Sequence, residues 1–161
     1  VEKFTIHDAL KLAVTTEQIG AKMYNRFAKK YSDNKDVADV FARLAKDEII
    51  HESQFKALLD STPADDTGKY GVQEYLKATA ISEFFSDKVL DKLEEIATPQ
   101  DALQKAFALE KATLLFYHAL KDTLGDNAAL DEVIAAEKGH AVSLMNVLIS
   151  DAKFRGLGDK G

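Results

Sequence analysis

Two stretches of this sequence place a histidine three residues after a glutamate: Glu48-Ile49-Ile50-His51 and Glu137-Lys138-Gly139-His140. On a helix, residues i and i+3 share one face, a turn apart. Each stretch therefore aims a carboxylate and an imidazole in the same direction. A lone glutamate lies upstream of each, Glu17 by 31 residues and Glu110 by 27. Seven residues after each lone glutamate comes a tyrosine, Tyr24 and Tyr117, about two helical turns along the same face. The chain thus repeats glutamate, tyrosine and Glu-x-x-His in each half, as a duplicated helix pair with pseudo-two-fold symmetry would.

The four glutamates and two histidines must be positioned by helices. Between a few clustered prolines and glycines, the chain is rich in the helix formers Ala, Leu, Lys, Glu, Asp and Gln. Four long segments are predicted. The first runs from Ile6 to Tyr31, with Thr5 as N-cap and Ser32-Asp33-Asn34 as a breaker. The second runs from Lys35 to Asp60 and ends at Ser61-Thr62-Pro63. The third starts at Pro99 behind a Thr98 cap and ends near Gly125. The fourth runs from Ala128 to Phe154, with Gly156 as a C′ glycine. A connection over about residues 61–98 separates the second and third segments. It is loop-like from Pro63 to Gly71 and helical in pattern from Val72 to Ala97.

Every long segment carries an apolar seam at alternating three- and four-residue steps. The first reads Ile6, Leu10, Ala13, Glu17, Gly20, Tyr24, Phe27; the second reads Val37, Phe41, Leu44, Glu48, His51, Phe55. The third and fourth show the same interruption at Glu110 and at Glu137 with His140. Burying an ionised carboxylate without a partner costs several kcal/mol, and four facing one another repel. No Lys or Arg lies on these seam positions, so a metal cation is the simplest remedy. One Glu from each of two helices plus Glu-x-x-His from the other two is the donor pattern of two-metal carboxylate bundles. Four carboxylates balance two divalent ions. Oxygen-rich ligation with one imidazole per ion suits Fe or Mn, and Zn is also accommodated. The competing reading is a metal-free bundle with a few buried, hydrogen-bonded polar residues.

Other candidates carry two readings each. Tyr24 and Tyr117 are either plain core tyrosines or hydrogen-bond donors to ligand carboxylates. Thr113, one turn after Glu110, either packs or hydrogen-bonds to a ligand or bound oxygen species. His7 and His118 lie off the seams and read as surface or flank residues.

Bulk properties narrow the class. The 161 residues suffice for one domain with a sizeable core. Net charge is −6 with no basic cluster, which disfavours nucleic acid and anionic membranes as partners. No apolar run approaches the ~18–20 residues of a membrane helix. Cysteine is absent, so disulfides, thiol catalysis and thiolate metal sites are excluded within these residues. Val1 to Thr5 shows no secretory pattern, and the expected location is cytoplasmic.

On Glu17 to Tyr24, Asp47-Glu48-Ile49-Ile50-His51, Ala108-Leu109-Glu110 to Tyr117 and Glu137-Lys138-Gly139-His140, the sequence resembles the rubrerythrin-like branch of the ferritin-like superfamily. The resemblance spans Ile6 to Leu148. It implies an all-α, ferritin-like four-helix bundle with one long, partly helical crossover between the second and third helices. It implies a di-iron centre bridged by Glu48 and Glu137, with Glu17 and Glu110 as terminal carboxylates and His51 and His140 on one iron each. Members commonly reduce hydrogen peroxide or oxidise ferrous iron. Typical rubrerythrins add a rubredoxin domain with four cysteines, and a further Glu where this chain has Thr113. The expected function is therefore reduction of peroxide or dioxygen with electrons from an external donor, rubredoxin-like or a flavoprotein. A ferroxidase that handles iron and a non-catalytic metal-stabilised bundle are the alternatives. A homodimer is expected, with Phe84 and Phe85 packing either on a partner chain or on the bundle itself.

Overall fold

The computed structural model describes residues 4–64, 72–80 and 92–158. Among these, five α-helices form in order: α1 Ile6–Lys30, α2 Lys35–Ser61, α3 Val72–Ala80, α4 Pro99–Leu124 and α5 Ala128–Gly158. A 3-10 turn, Lys92–Glu95, precedes α4.

Local chemistry sets the helix ends. Thr5 and Asp8 form a reciprocal capping box at α1: the Asp8 amide donates to the Thr5 hydroxyl (3.1 Å) and the Thr5 amide to the Asp8 carboxylate (3.0 Å). Asn34 accepts from the Val37 amide at the start of α2, and Asn127 from the Leu130 amide at the start of α5. Thr98 caps α4, with Pro99 in the first turn where its missing N–H costs nothing. Gly125 ends α4 at φ 85°, a backbone that favours glycine.

The expected boundaries need small corrections. Tyr31 is the C-cap of α1, and α2 extends to Ser61. The larger difference is at Gly156, expected to stop the last helix. The helix continues to Gly158, and Gly125 is the only glycine at positive φ among the described residues. A C′ cap requires the left-handed conformation, so Gly156 is a glycine inside the helix. In the crossover, Val72–Ala80 is helical as expected. Phe84, Phe85, Val89 and Leu90 lie outside the described residues.

Short links join α1 to α2 and α4 to α5, making two helical hairpins. The hairpins pack through α2 against α5 and α1 against α4, while α3 lies against α4 and α1. The seams meet in two apolar clusters. One gathers Leu10, Phe55, Phe116, Leu120 and Val133, with Leu76 contributed by α3. The other gathers Met23, Phe27, Phe41, Leu103 and Leu144. Glu17, Glu48, Glu110 and Glu137 come between these clusters along their helices. Among the described residues, no helix is long and apolar enough to cross a membrane.

Candidate metal centre

All six seam interruptions are buried together. Relative exposure is 0% for Glu17, 4% for Glu48, 4% for His51, 2% for Glu110, 0% for Glu137 and 5% for His140. Glu48, His51, Glu137 and His140 each offer one donor atom within 4.8 Å of the others. The imidazoles stack with centroids 5.4 Å apart. Glu17 and Glu110 flank this quartet from the opposite hairpin arms.

The distances define two halves. Nδ1 of His51 lies 3.5 Å from Glu17 and 2.7 Å from Glu137 Oε1. Nδ1 of His140 lies 3.8 Å from Glu110 and 3.2 Å from Glu137 Oε2. Glu48 faces both rings, with Oε2 3.9 Å from His51 and Oε1 3.3 Å from His140. Glu48 and Glu137 therefore stand between the halves, while Glu17 and Glu110 each serve one. The assignment follows the internal repeat, because the i, i+3 spacing of each Glu-x-x-His survives folding intact.

Tyr24 and Tyr117 are fully buried and donate to carboxylates, as one of the two sequence readings holds. The acceptor is on the other hairpin: Tyr24 donates to Glu110 and Tyr117 to Glu17. The glutamate on each tyrosine's own helix lies seven residues away, about 10.5 Å of rise, and the bond is made across the bundle instead. Thr113, one turn after Glu110, is buried. His7 is half-buried and His118 exposed, both apart from the cluster.

Electrostatics mark the cluster as incomplete on its own. Burial first, then the neighbouring carboxylates, pushes Glu48 and Glu110 well above the usual carboxylate range. Burial alone would also raise Glu137, but the Glu110 carboxyl and the two imidazoles hold it below that range. Burial opposes a charged His51, yet Glu137 and Glu17 outweigh it and push the ring up to about 10. Among the described residues, five buried side-chain atoms make no hydrogen bond: Glu17 Oε2, both oxygens of Glu137, and Nδ1 of His51 and His140. Orphaned polar atoms this deep are rare in native proteins. Here all five belong to one cluster and all are metal-donor types, so the residues present fit a pair of cations.

Two contributors were not identified as site residues from the sequence. Asp47 reaches Nε2 of His140 at 3.2 Å from a position off the apolar seam, where nothing in the periodicity marks it. Gly20 did carry a signal, since a glycine on the buried seam of a helix indicates close approach. A Cβ there would sit 3.3 Å from the Glu48 carboxyl carbon. Gly20→Ala is expected to leave the metal-free fold intact, because alanine favours helix by ~1 kcal/mol. It should weaken metal binding several-fold by displacing Glu48. Thermal melts with and without metal separate the two effects, and unchanged affinity would show that Glu48 has room to move.

A family profile for rubrerythrin matches residues 8–100, more than half of the chain, including Glu17, Glu48 and His51. Among solved structures, a protein of Thermotoga maritima described as a ferritin-like diiron-carboxylate protein is similar at a TM-score of 0.73 and 24% identity. The match covers 94% of this chain and 99% of that one, and it supports the fold. No curated protein matches the chain. The profile match, the ferritin-like helical bundle and the buried Glu/His cluster agree: the chain belongs to the rubrerythrin family.

Proposed function

We propose that this protein binds two iron ions on Glu17, Glu48, His51, Glu110, Glu137 and His140 and reduces hydrogen peroxide, or dioxygen, with electrons from an external donor. The observation that carries this reading is the convergence of five buried, unpartnered donor atoms on one point between the hairpins. Glu48 and Glu137, which face both imidazoles, would be shared between the two ions, with Glu17 and His51 completing one half and Glu110 and His140 the other. The oxygen-rich donor set with one imidazole per ion suits iron or manganese, and the family favours iron. A bound pair of ferrous ions would supply the two electrons that, with two protons, take one hydrogen peroxide to two waters.

The chain supplies the surroundings. Tyr24 and Tyr117 engage one oxygen of Glu110 and one of Glu17, fixing both carboxylates against rotation. The apolar clusters on either side exclude bulk water, which keeps charge interactions within the site strong. The 161 residues contain no cysteine, so electrons for re-reduction come from outside them, from a rubredoxin-like protein or a flavoprotein.

The test is anaerobic loading with Fe2+, followed by one equivalent of peroxide or of dioxygen, read by visible absorption and Mössbauer spectroscopy. A coupled diferric signal that forms faster with peroxide is expected. A faster reaction with dioxygen would favour the oxidase form, and Fe3+ leaving the protein would favour a ferroxidase. Absence of any diferric signal in folded, loaded protein would sink the proposal.

A further inference from the structure

Asp47 directly precedes Glu48 in sequence but serves the opposite half of the site. Its Oδ2 lies 3.2 Å from Nε2 of His140. The other nitrogen of that ring, Nδ1, faces Glu48 at 3.3 Å and Glu137 at 3.2 Å. An imidazole held this way has its tautomer decided. Nε2 carries the proton toward Asp47, and Nδ1 keeps its lone pair for a cation.

His51 is held differently. Its three carboxylate contacts are all made by Nδ1, and among the described residues no carboxylate stands against its Nε2. The cause is a single side chain. The residue before Glu137, which matches Asp47 in the repeat, is Ala136. Asp47 and Ala136 are both half-buried, so the two positions share their burial as well as their place in the repeat.

We infer that Asp47 is a positioning residue for His140 that makes the two halves of the centre unequal, so that the half with Glu110 and His140 takes its divalent ion first. The half with Glu17 and His51 fills second. This inference rests on the two-metal reading above. Removing a carboxylate behind a ligating histidine typically lowers metal affinity about 10–100-fold, which sets the expected separation.

Co2+ is a suitable probe, titrated anaerobically into the metal-free full chain and followed by visible absorption and by proton NMR of the shifted ring N–H signals. Two binding steps at least about 10-fold apart are expected. The first should bring up one ring N–H signal that exchanges slowly with solvent, because Asp47 holds it. In Asp47→Ala the first step should weaken about 10–100-fold and that signal should exchange rapidly; Asp47→Glu should restore part of both. Ala136→Asp supplies the missing carboxylate and should strengthen the second step alone. Two equal steps in the parent protein would overturn the inference. So would a first step unchanged in folded Asp47→Ala, or, if that variant fails to fold, a second step unchanged in Ala136→Asp. Failure to bind Co2+ at all would instead overturn the metal-centre reading, and this inference with it.

Discussion

Glu137→Ala is expected to empty both halves of the proposed centre, lowering bound metal from about two ions per chain to well under one. Glu137 makes the shortest carboxylate contact to Nδ1 of each imidazole, 2.7 Å from His51 and 3.2 Å from His140. Among the described residues its two oxygens have no hydrogen-bond partner. Removing Glu17 or Glu110 should act mainly on the half that each serves. Removing Glu137 acts on both, and Glu48 alone cannot hold two ions in register. The stabilisation linked to metal is lost as well, about 2.7 kcal/mol where the free ion stands at a hundred times its dissociation constant. The measurement is metal analysis of desalted protein, with Glu132→Ala as the comparison. Glu132 is an exposed residue on the same helix, bonded at 3.4 Å to Gln54. Full metal content in folded Glu137→Ala would exclude the bridging role.

Stripping the metal should reverse the pH dependence of stability. Without a cation, Glu48 and Glu110 titrate well above their ordinary 4.5, and His51 titrates at about 10 instead of 6.5. Groups whose values rise on folding bind protons more tightly in the native state. Their contribution is complete below the unfolded values and is lost as pH climbs through the folded ones. Glu137 shifts the other way, so its contribution is already complete above its unfolded value of 4.5 and stays constant from there upward. The metal-free protein should therefore lose stability steadily from about pH 5 towards pH 10, each net proton costing about 1.36 kcal/mol per pH unit. In the loaded protein the ligands are deprotonated and metal competes with protons, so stabilisation by metal grows with pH. The gap between loaded and metal-free melting temperatures should widen between about pH 6 and about pH 8.5. A metal-free protein that becomes more stable over that range would contradict this account.

Much of the metal centre could be read from the chain because its signals are local. The i, i+3 spacing of Glu48 with His51 and of Glu137 with His140 depends only on helical geometry. The caps Thr5 and Thr98 act within three residues of themselves. The apolar seams showed that all six ionisable residues face inward, and buried charge then required a counter-ion. These relations hold for any packing that buries the seams.

What needed the folded molecule was every relation across the pseudo-two-fold axis. Tyr24 and Tyr117 were visible as residues on a glutamate's face, but their donation crosses to the other hairpin, which only the packing of α1 against α4 sets. Asp47 lies off the seam and gains its place only when α2 packs against α5 and brings it to His140. Within one hairpin, Gly20 signals a close approach by its seam position, but only the packing of α2 on α1 shows that Glu48 comes within 3.3 Å of where its Cβ would be. Gly156 shows the same limit from the other side, since residue type permitted a helix end but backbone conformation did not supply one. The sequence by itself determined which side chains could form a two-metal centre and which helices carry them, because periodicity along one helix is a property of the chain. The tertiary structure alone decided which carboxylate each tyrosine and each histidine meets, because those contacts depend on how separate helices are set against one another.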